Sequence, residues 1–211
     1  MSRYKLTYFK ARGRAELARL LLSQAGVPFE DIRLDTDEFL ERKYDLLFGQ
    51  LPSLQLDNGP VLYQSLAIGR FLATKHGLAG KTSIEQAQCD MVVSLISDFT
   101  EQFYQPLVQL RIADNFRELA VEYEHIKQQN LRVMLWRLEN MLAYSESVYF
   151  VGRSITWADI AFMDFIDRLR LVVGDHGVLA ECTLTEEHYK RIRNFPRIKK
   201  WIDTRPKSDI Y

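Results

Sequence analysis

Hydrophobic residues in the N-terminal part of the chain follow two spacings, one typical of strands and one typical of helices. Polar and apolar residues alternate in short segments rich in strand-forming residues, which predicts strands over residues 3–8, 28–34, 53–56 and 61–63. Elsewhere apolar residues recur every three or four positions, which predicts helices over residues 14–25, 37–46 and 65–76. The predicted order is therefore β-α-β-α-β-β-α.

Glycines mark the ends of some of these segments. Gly26 follows the first helical pattern, and glycine commonly ends a helix. The sequence Asp57-Asn58-Gly59-Pro60 separates the last two strand patterns, and Asn-Gly is a strong hairpin signal because both residues tolerate positive φ. We therefore expect these two strands to form an antiparallel hairpin.

The remainder of the chain predicts helices alone. Long helical periods cover residues 83–112 and 116–144, and shorter helical segments follow. The pattern changes near residues 77–82. We therefore predict an α/β domain over residues 1–78 and an all-α domain over residues 84–211.

The helical half contains a strong helix-start signal. Thr156 is followed three residues later by Asp159, which is the spacing of a capping box. This pattern indicates a structural device inside the core rather than a ligand site. Trp136 and Trp157 are likewise expected in the core.

Charge and composition exclude several functional classes. The 28 Lys and Arg residues equal the 28 Asp and Glu residues, so the chain lacks the basic excess of a typical nucleic-acid binder. No stretch approaches the roughly eighteen apolar residues of a membrane span, and the first residues lack the apolar core of a signal peptide. Cys89 and Cys182 form no CxxC pair, which fits a reducing compartment. We therefore expect a cytoplasmic protein with no nucleic-acid or membrane partner.

One short segment, residues 48–72, combines two features of a peptide-binding site. Pro52 opens a strand, and if its peptide bond is cis, the amide and carbonyl of Leu51 face outward for an extended peptide to pair with. Ser65 opens a helix, whose N-terminus attracts a carboxylate, and Gln64 can add a side-chain amide. An ordinary turn followed by an ordinary helix cap is the alternative interpretation.

Three sequence segments carry a resemblance to a known family. They are YKLTYFKARGRAELARLLL, FGQLPSLQLDNGPVLYQSLAIGRFL and SITWADIAF. Together they resemble the glutathione transferases, most nearly the sigma class, which includes invertebrate transferases and glutathione-dependent prostaglandin D synthases. The resemblance covers essentially the whole chain. It implies a thioredoxin-like N-terminal domain, a helical C-terminal domain, a homodimer, glutathione as cosubstrate and a small hydrophobic electrophile as acceptor.

The resemblance implies that Tyr8 and Arg14 are catalytic. The thiol of glutathione has a pKa of roughly 8.5, so little thiolate is present at neutral pH. A phenol O–H directed at the sulfur stabilises the thiolate, which is the nucleophile. Arg14, in the first turn of the following helix, would support Tyr8 electrostatically. From the residues alone, a core aromatic at the end of a strand is the alternative for Tyr8, as it is for Tyr4.

The resemblance also implies how glutathione is held. Gln64 and Ser65 would hold the γ-glutamyl end, and Leu51 would pair with the cysteinyl backbone. Lys43 would meet the glycine carboxylate as a flexible point charge. The implied binding set further includes Tyr8, Phe39, Gly49, Gln50 and Pro52. Phe39 departs from the family, which usually has tryptophan there, and the missing indole N–H would cost about 0.5 to 1.5 kcal/mol.

Other implied residues come from the helical half. Asp98 would reach the γ-glutamyl ammonium from the neighbouring subunit of a homodimer, which gives two composite sites. Ser94 and Ser97 stand where prostaglandin synthases of the family often have acids, so no metal is expected. The implied acceptor pocket comprises Phe9, Gly13, Phe103, Tyr104 and Leu107.

Three other functions are weighed against conjugation. A thiol–disulfide enzyme needs a nucleophilic cysteine after the first strand, and residues 8–12 contain none, so we reject it. A non-catalytic carrier or crystallin-like protein stays open. Phe39 favours it because it departs from the tryptophan that the family uses to bind glutathione, whereas Tyr8 and Ser65 argue for retained glutathione binding. A glutathione-dependent prostaglandin D isomerase also stays open because it would use the same thiolate.

Overall fold

The computed structural model describes residues 4–57, 59–175 and 177–207 of the 211-residue chain. Residues 1–3, Asn58 and residues 208–211, which the predicted first strand, hairpin turn and domains include, lie outside the described residues. The strands are β1 Tyr4–Phe9, β2 Phe29–Leu34, β3 Ser53–Leu56 and β4 Val61–Tyr63. The helices are α1 Glu16–Ala25, α2 Thr36–Arg42, α3 Ser65–Lys75, α4 Ser83–Phe99, α5 Gln105–Ile112, α6 Phe116–Ile126, α7 Arg132–Ala143, α8 Trp157–Val173, α9 Thr183–Arg193 and α10 Pro196–Thr204. Short 3₁₀ segments cover Gly13–Ala15 and Lys43–Asp45, and π-helical turns cover Thr100–Tyr104 and Lys127–Leu131.

The described strands form a four-stranded sheet in the order β2-β1-β3-β4. β1 runs parallel to β2 and antiparallel to β3, and β3 pairs antiparallel with β4 as the hairpin pattern predicts. In β1 the side chains of Tyr4, Leu6 and Tyr8 are buried and the intervening residues are partly exposed, because successive side chains of a strand point to opposite faces. The connection between the parallel strands is α1. The α/β sheet followed by helices confirms the predicted fold class.

Contacts divide the chain into two compact units. One unit holds the residues up to Leu78 together with those from Pro196 onward, and the other holds Ala79–Phe195. Within the first unit, α10 packs against α1, and Arg197 Nη1 donates a hydrogen bond to the carbonyl of Gln24 at 3.0 Å. The late helix α10 is therefore part of the unit that contains the sheet.

The start of α2 is set by a capping box that its apolar spacing does not reveal. Asp35 Oδ1 accepts from the Glu38 amide at 3.0 Å, and Glu38 Oε2 accepts from the Asp35 amide at 2.8 Å. These reciprocal bonds satisfy two amides that the helix itself leaves without partners. The helix consequently starts at Thr36. It ends at Arg42, whereas the predicted segment spans residues 37–46. The Asp-x-x-Glu spacing of residues 35–38 is the sequence signal that could have predicted this start.

The second unit is built around α8, most of whose side chains are buried. At the start of this helix the carboxylate of Asp159 is fully buried. It accepts from the Thr156 amide at 2.7 Å and from the Phe150 amide at 3.0 Å. The predicted helix-start signal therefore also ties the preceding loop to the core. Throughout the described residues, no helix has the length and apolar character needed to cross a membrane.

The expectation for one tryptophan is wrong. Trp157 is buried as predicted, but Trp136 is 64% exposed. The buried stripe of α7 includes Leu135, Leu138 and Leu142, which recur at three- and four-residue intervals. Trp136 follows Leu135 by one position, about 100° around the helix, and this rotation carries its side chain out of the stripe.

Candidate functional site

A cavity of about 320 Å³ lies in the first unit, beside the end of β1 and the start of α3. It is lined by Tyr8, Phe9, Arg14, Phe39, Gly49, Gln50, Leu51, Pro52, Gln64 and Ser65. Each of these residues belongs to the set that the sequence analysis singled out. The fold therefore brings together side chains that are up to 57 positions apart in the sequence.

Tyr8 lies at the cavity wall with 9% of its surface exposed. It stands near the end of β1, where the alternation of the strand turns its side chain to the buried face. The backbone N–H of Arg14 donates to the Tyr8 hydroxyl oxygen at 3.2 Å. A phenol oxygen that accepts this bond keeps its own O–H to donate elsewhere. The arrangement provides a positioned donor at the cavity.

Gly13 permits the close approach between the start of the α1 region and the Tyr8 ring. Its φ is +42°, a backbone conformation that favours glycine. A Cβ added at this position would lie 2.6 Å from the Tyr8 hydroxyl oxygen and 2.8 Å from Cε1 of the ring. The family resemblance implies that Gly13 belongs to the acceptor pocket; in the structure, its missing side chain also makes room for Tyr8.

Replacing Gly13 by alanine is therefore expected to lower kcat by about 10- to 100-fold, because a displaced Tyr8 would no longer meet the sulfur of glutathione that the family resemblance implies. Gly77→Ala is the matched control: Gly77 also has a positive φ, of +70°, but a Cβ there meets no atom within 4 Å. Both variants should lose about 1 kcal/mol of stability from the strained backbone. Steady-state kinetics and thermal unfolding of the pair separate the two effects, and equal activity in both variants would contradict this role for Gly13.

Arg14 contributes to the cavity in two ways. Its side chain is exposed and lines the cavity, while its amide holds the Tyr8 oxygen. Arg14 belongs to the 3₁₀ segment Gly13–Ala15, which precedes α1. A cation next to the cavity favours a nearby anion, and the placement close to a helix start, where a cation opposes the helix dipole, fits a functional role.

A buried charged network beneath Tyr8 was not found by the sequence analysis. Arg19 is fully buried, and its guanidinium carbon lies 5.9 Å from the centre of the Tyr8 ring. Arg19 Nε donates to Asp31 Oδ1 at 2.9 Å, and Arg19 Nη1 donates to Glu16 Oε2 at 3.2 Å. The ion pairs hold the guanidinium in place, so Tyr8 rests on a fixed neighbour.

Glu16 links this network to α10. Its Oε1 accepts from Trp201 Nε1 at 2.8 Å and from Arg205 Nη1 at 2.7 Å. Burial alone would raise the pKa of Glu16, but Arg205 and Arg19 together hold that pKa below its usual value. The signal in the sequence was a charged pair three positions apart, Glu16 and Arg19, within the otherwise apolar stripe of α1.

The opposite wall of the cavity offers polar groups at the start of α3. The helix begins at Ser65, and Gln64 just before it has φ +69°, which is unusual for a residue with a side chain. Gln64 Nε2 donates to Gln50 Oε1 at 3.4 Å. The first amides of α3 and the dipole of the helix favour an anion at this end of the cavity. The Leu51–Pro52 peptide bond is cis.

Aromatic rings form the apolar side of the cavity. The Phe9 ring packs edge-on against Tyr8 with 5.2 Å between ring centres, and against Phe39 with 5.0 Å. Phe39 therefore lines the cavity but carries no hydrogen-bond donor in its side chain. Lys43 is exposed, and its Cγ lies 3.6 Å from where a Cβ on Gly49 would stand. Lys43 thus lies next to a lining residue without lining the cavity itself.

The remaining predicted residues belong to the second unit. Asp98 is exposed on α4. Phe103 is half-buried and packs against Phe99 with 5.1 Å between ring centres. Tyr104 and Leu107 are buried. Among the described residues, no group of three or more His, Cys, Asp or Glu side chains is placed to hold a metal ion.

Comparison with known proteins identifies the family. The model of the glutathione S-transferase N-terminal domain matches residues 4–74, and that of the glutathione S-transferase C-terminal domain matches residues 101–205. Glutathione S-transferase 1 of Ascaris suum is 41% identical over 216 residues, which cover 99% of each chain. The chain belongs to the glutathione S-transferase family. Its cavity residues therefore lie on a scaffold whose members use glutathione as cosubstrate.

Two further similarities concern the class of transferase. Hematopoietic prostaglandin D synthase of Gallus gallus is 36% identical over 210 residues, covering 100% of each chain. The crystal structure of monomeric Na-GST-3, a glutathione S-transferase of the hookworm Necator americanus, superposes with a TM-score of 0.89 at 35% identity, covering 99% of this chain and 100% of that one. Both similarities are consistent with the sigma-type class that the sequence motifs indicate.

Proposed function

We propose that this glutathione S-transferase conjugates the thiolate of glutathione to small hydrophobic electrophiles, with Tyr8 as the group that stabilises the thiolate. The observation that carries the proposal is the Tyr8 hydroxyl at the cavity wall, held by the amide of Arg14. Its free O–H can donate to a sulfur in the cavity. A hydrogen bond to the charged form of an acid favours that form, so bound glutathione would lose its thiol proton at lower pH than free glutathione.

The polar wall supports an orientation for glutathione. Ser65 and the first amides of α3 would donate hydrogen bonds to the γ-glutamyl carboxylate, with Gln64 and Gln50 beside it. The backbone of Leu51, next to Pro52, would pair with the cysteinyl part as an added strand does. This orientation places the cysteinyl sulfur towards Tyr8.

The glycyl end would lie towards the exposed side of the cavity. Lys43, beside Gly49, would meet the glycine carboxylate as a mobile cation. Phe39 would contact this end through its ring alone, so a hydrogen bond that tryptophan would give is replaced by apolar contact. Affinity for glutathione then depends mainly on the carboxylate site at Ser65.

The chemical step follows from the thiolate. The thiol proton leaves to solvent or a base, and the sulfur lone pair forms a bond to an electrophilic carbon while the leaving group departs with its bonding electrons. Tyr8 and Arg14 stabilise the negative charge on sulfur before attack. Within the first unit, the acceptor would rest on Phe9 and Gly13.

A glutathione-dependent prostaglandin D isomerase is the second candidate, and the similarity to the avian prostaglandin D synthase favours it. In that reaction the thiolate attacks one peroxide oxygen and cleaves the O–O bond. The other oxygen leaves as an alkoxide and takes up a proton to become a hydroxyl. The carbon that bears the sulfur-bound oxygen then loses a proton, which forms the ketone as the S–O bond breaks and the thiolate is released. A non-catalytic carrier is the third candidate, and Phe39 is the residue that favours it.

Assembly and location are also proposed. A homodimer would allow Asp98 of one subunit to meet the γ-glutamyl ammonium in the other, and its exposure on α4 makes it accessible for that role. The hookworm relative is monomeric in its crystal structure, so the oligomeric state of this chain in solution tests the proposed homodimer.

Both cysteines are free thiols, which fits the proposed cytoplasmic location.

The proposed function is tested by the ultraviolet absorbance of the thiolate of bound glutathione, followed across pH. We expect the thiolate band to appear with a midpoint roughly two pH units below the usual thiol value of about 8.5. Assays with an aromatic halide and with a prostaglandin endoperoxide then separate conjugation from isomerisation. Glutathione that binds with an unshifted thiolate midpoint would leave the carrier as the better proposal.

A further inference from the structure

A second cavity, of about 720 Å³, lies within the helical unit and shares no residue with the cavity proposed for glutathione. It is bounded by the start of α4, by α7 and by the segment that leads from α7 to α8. Phe150 and Val151, both buried, form its apolar part, and most of the other lining residues are polar or charged. A volume of this size falls within the range of small-molecule sites, which is about 300 to 1,000 Å³.

Two of the cations that line this cavity are Lys81, just before α4, and Arg137, midway along α7. Among the residues that the structure describes, neither side chain has a hydrogen-bond or ion-pair partner. The two carboxylates of the wall are engaged already, because Glu85 caps the start of α4 and Glu146 pairs with Arg153 at 3.1 Å. The cavity therefore holds two positive charges that an anionic ligand can meet.

The same wall offers two carboxamides and an aromatic ring. Gln88 on α4 and Asn140 on α7 line the cavity, and within the described ranges their side chains have no hydrogen-bond partner. A carboxamide both donates and accepts hydrogen bonds, so it can meet a ligand edge that carries both kinds of group. Tyr144, at the end of α7, lines the cavity and is 87% exposed. Its ring is therefore open for a flat ligand ring to stack on.

We propose that this cavity binds a nucleoside monophosphate, with its phosphate on Lys81 and Arg137 and its base on the ring of Tyr144. A guanidinium donates two parallel hydrogen bonds to phosphate oxygens, and an ammonium adds a point charge. A nucleobase has a flat face that stacks on an aromatic ring, and its edge carries donors and acceptors that Gln88 and Asn140 can meet. An uncharged nucleoside would leave the two cations unused, and a fatty carboxylate would leave the carboxamides unused.

The test is isothermal titration of AMP into the full-length protein, after a first titration with S-hexylglutathione to saturate the cavity proposed for glutathione. We expect one AMP to bind per chain with a Kd below about 1 mM. Adenosine lacks the phosphate and inorganic phosphate lacks the base, so each should bind at least about tenfold more weakly. Failure of the first titration would count against the proposed function alone, whereas failure of the second would count against this site alone.

Variants locate the bound AMP. Arg137→Gln should weaken binding about tenfold and Lys81→Gln a few-fold, because the guanidinium makes two hydrogen bonds where the ammonium acts as a point charge. Tyr144→Ser should weaken it about tenfold, whereas Tyr144→Phe, which keeps the ring, should bind as the wild type does. Arg132→Gln is the matched control, because Arg132 is exposed on the same helix but does not line the cavity. All four positions are exposed, so the thermal unfolding midpoint should stay close to that of the wild type.

The proposal is overturned by any of three results. One is a Kd for AMP above about 1 mM. Another is an affinity for adenosine or for inorganic phosphate equal to that for AMP, which would remove the role of the phosphate or of the base. The third is a loss in Arg132→Gln equal to that in Arg137→Gln, or full binding by Tyr144→Ser, which would place the nucleotide elsewhere.

Discussion

Tyr8→Phe is expected to lower kcat for conjugation about 100-fold near neutral pH, because it removes the single hydroxyl proposed to stabilise the thiolate. The ring of phenylalanine keeps the contacts with Phe9 and Arg19, so the cavity retains its shape. The carboxylate site at Ser65 is untouched, and the KM for glutathione should therefore change much less than kcat. Steady-state kinetics with an aromatic halide, at varied glutathione, measure both quantities.

The loss of kcat in Tyr8→Phe should depend on pH. In the variant the pKa of bound glutathione should rise towards the usual thiol value of about 8.5. The thiolate fraction then grows as pH increases, so the deficit of the variant shrinks at high pH and is largest at low pH. Tyr4→Phe is the control: Tyr4 lies on the same strand, is 1% exposed, and bonds to His76 Nε2 at 2.9 Å, away from the cavity. A deficit that is the same at every pH would argue against thiolate stabilisation.

Glu16→Gln is expected to destabilise the fold by about 3 kcal/mol, because it removes the negative charge between two buried guanidinium groups. Arg19 and Arg205 both donate to Glu16, and both are almost completely buried. The thermal unfolding midpoint should fall by about 10 °C for that loss in a chain of this size. Since Arg19 supports the Tyr8 ring, a reduced kcat should accompany the lower midpoint at temperatures where the variant stays folded.

The pH dependence of this stability loss follows from the pKa of Glu16. That pKa is held below its usual value in the folded protein, so the carboxylate contributes its full stability above the unfolded pKa. The contribution is lost as pH falls through the folded pKa. The difference between wild type and Glu16→Gln should therefore be constant near neutral pH and shrink in acid.

A surface pair provides the control for the Glu16 prediction. Glu146 and Arg153 lie 3.1 Å apart, but their side chains are 85% and 79% exposed. Glu146→Gln makes the same chemical change in water, where such a pair contributes little. Equal losses of stability in the two variants would show that burial of Glu16 is not what makes its charge matter.

The parts of the fold that sequence reasoning located share a property, which is that their signals are local. β1 was visible in a simple alternation, and α1 in a run of apolar positions ended by Gly26. Leu51, Pro52, Gln64 and Ser65 were found because one short segment carries the signals of a peptide-binding site, whereas Gly49 and Gln50 were found through the family resemblance. Tyr8 needed more, since a core aromatic would have looked the same, and the family resemblance decided between the two interpretations.

The parts that were missed depend on residues far apart in the sequence. Glu16 and Trp201 are 185 positions apart, and neither carries a local sign that the other will be its partner. Trp136 was assigned to the core from its apolar character, whereas its exposure follows from the rotation of α7. The role of Gly13 depends on the distance of 2.6 Å between an added Cβ and the Tyr8 hydroxyl oxygen, which only the three-dimensional structure reveals.

The packing of α10 on α1 has a consequence for the order in which the protein is made. Glu16 leaves the ribosome early, but Trp201 and Arg205, which complete its contacts, are synthesised about 185 residues later. Domains generally fold as they emerge, N-terminal first. The sheet unit would therefore emerge with Glu16 paired to Arg19 but without Trp201 and Arg205, and the helical unit is translated in the interval. The support beneath Tyr8 is therefore among the last parts of the newly made chain to be finished.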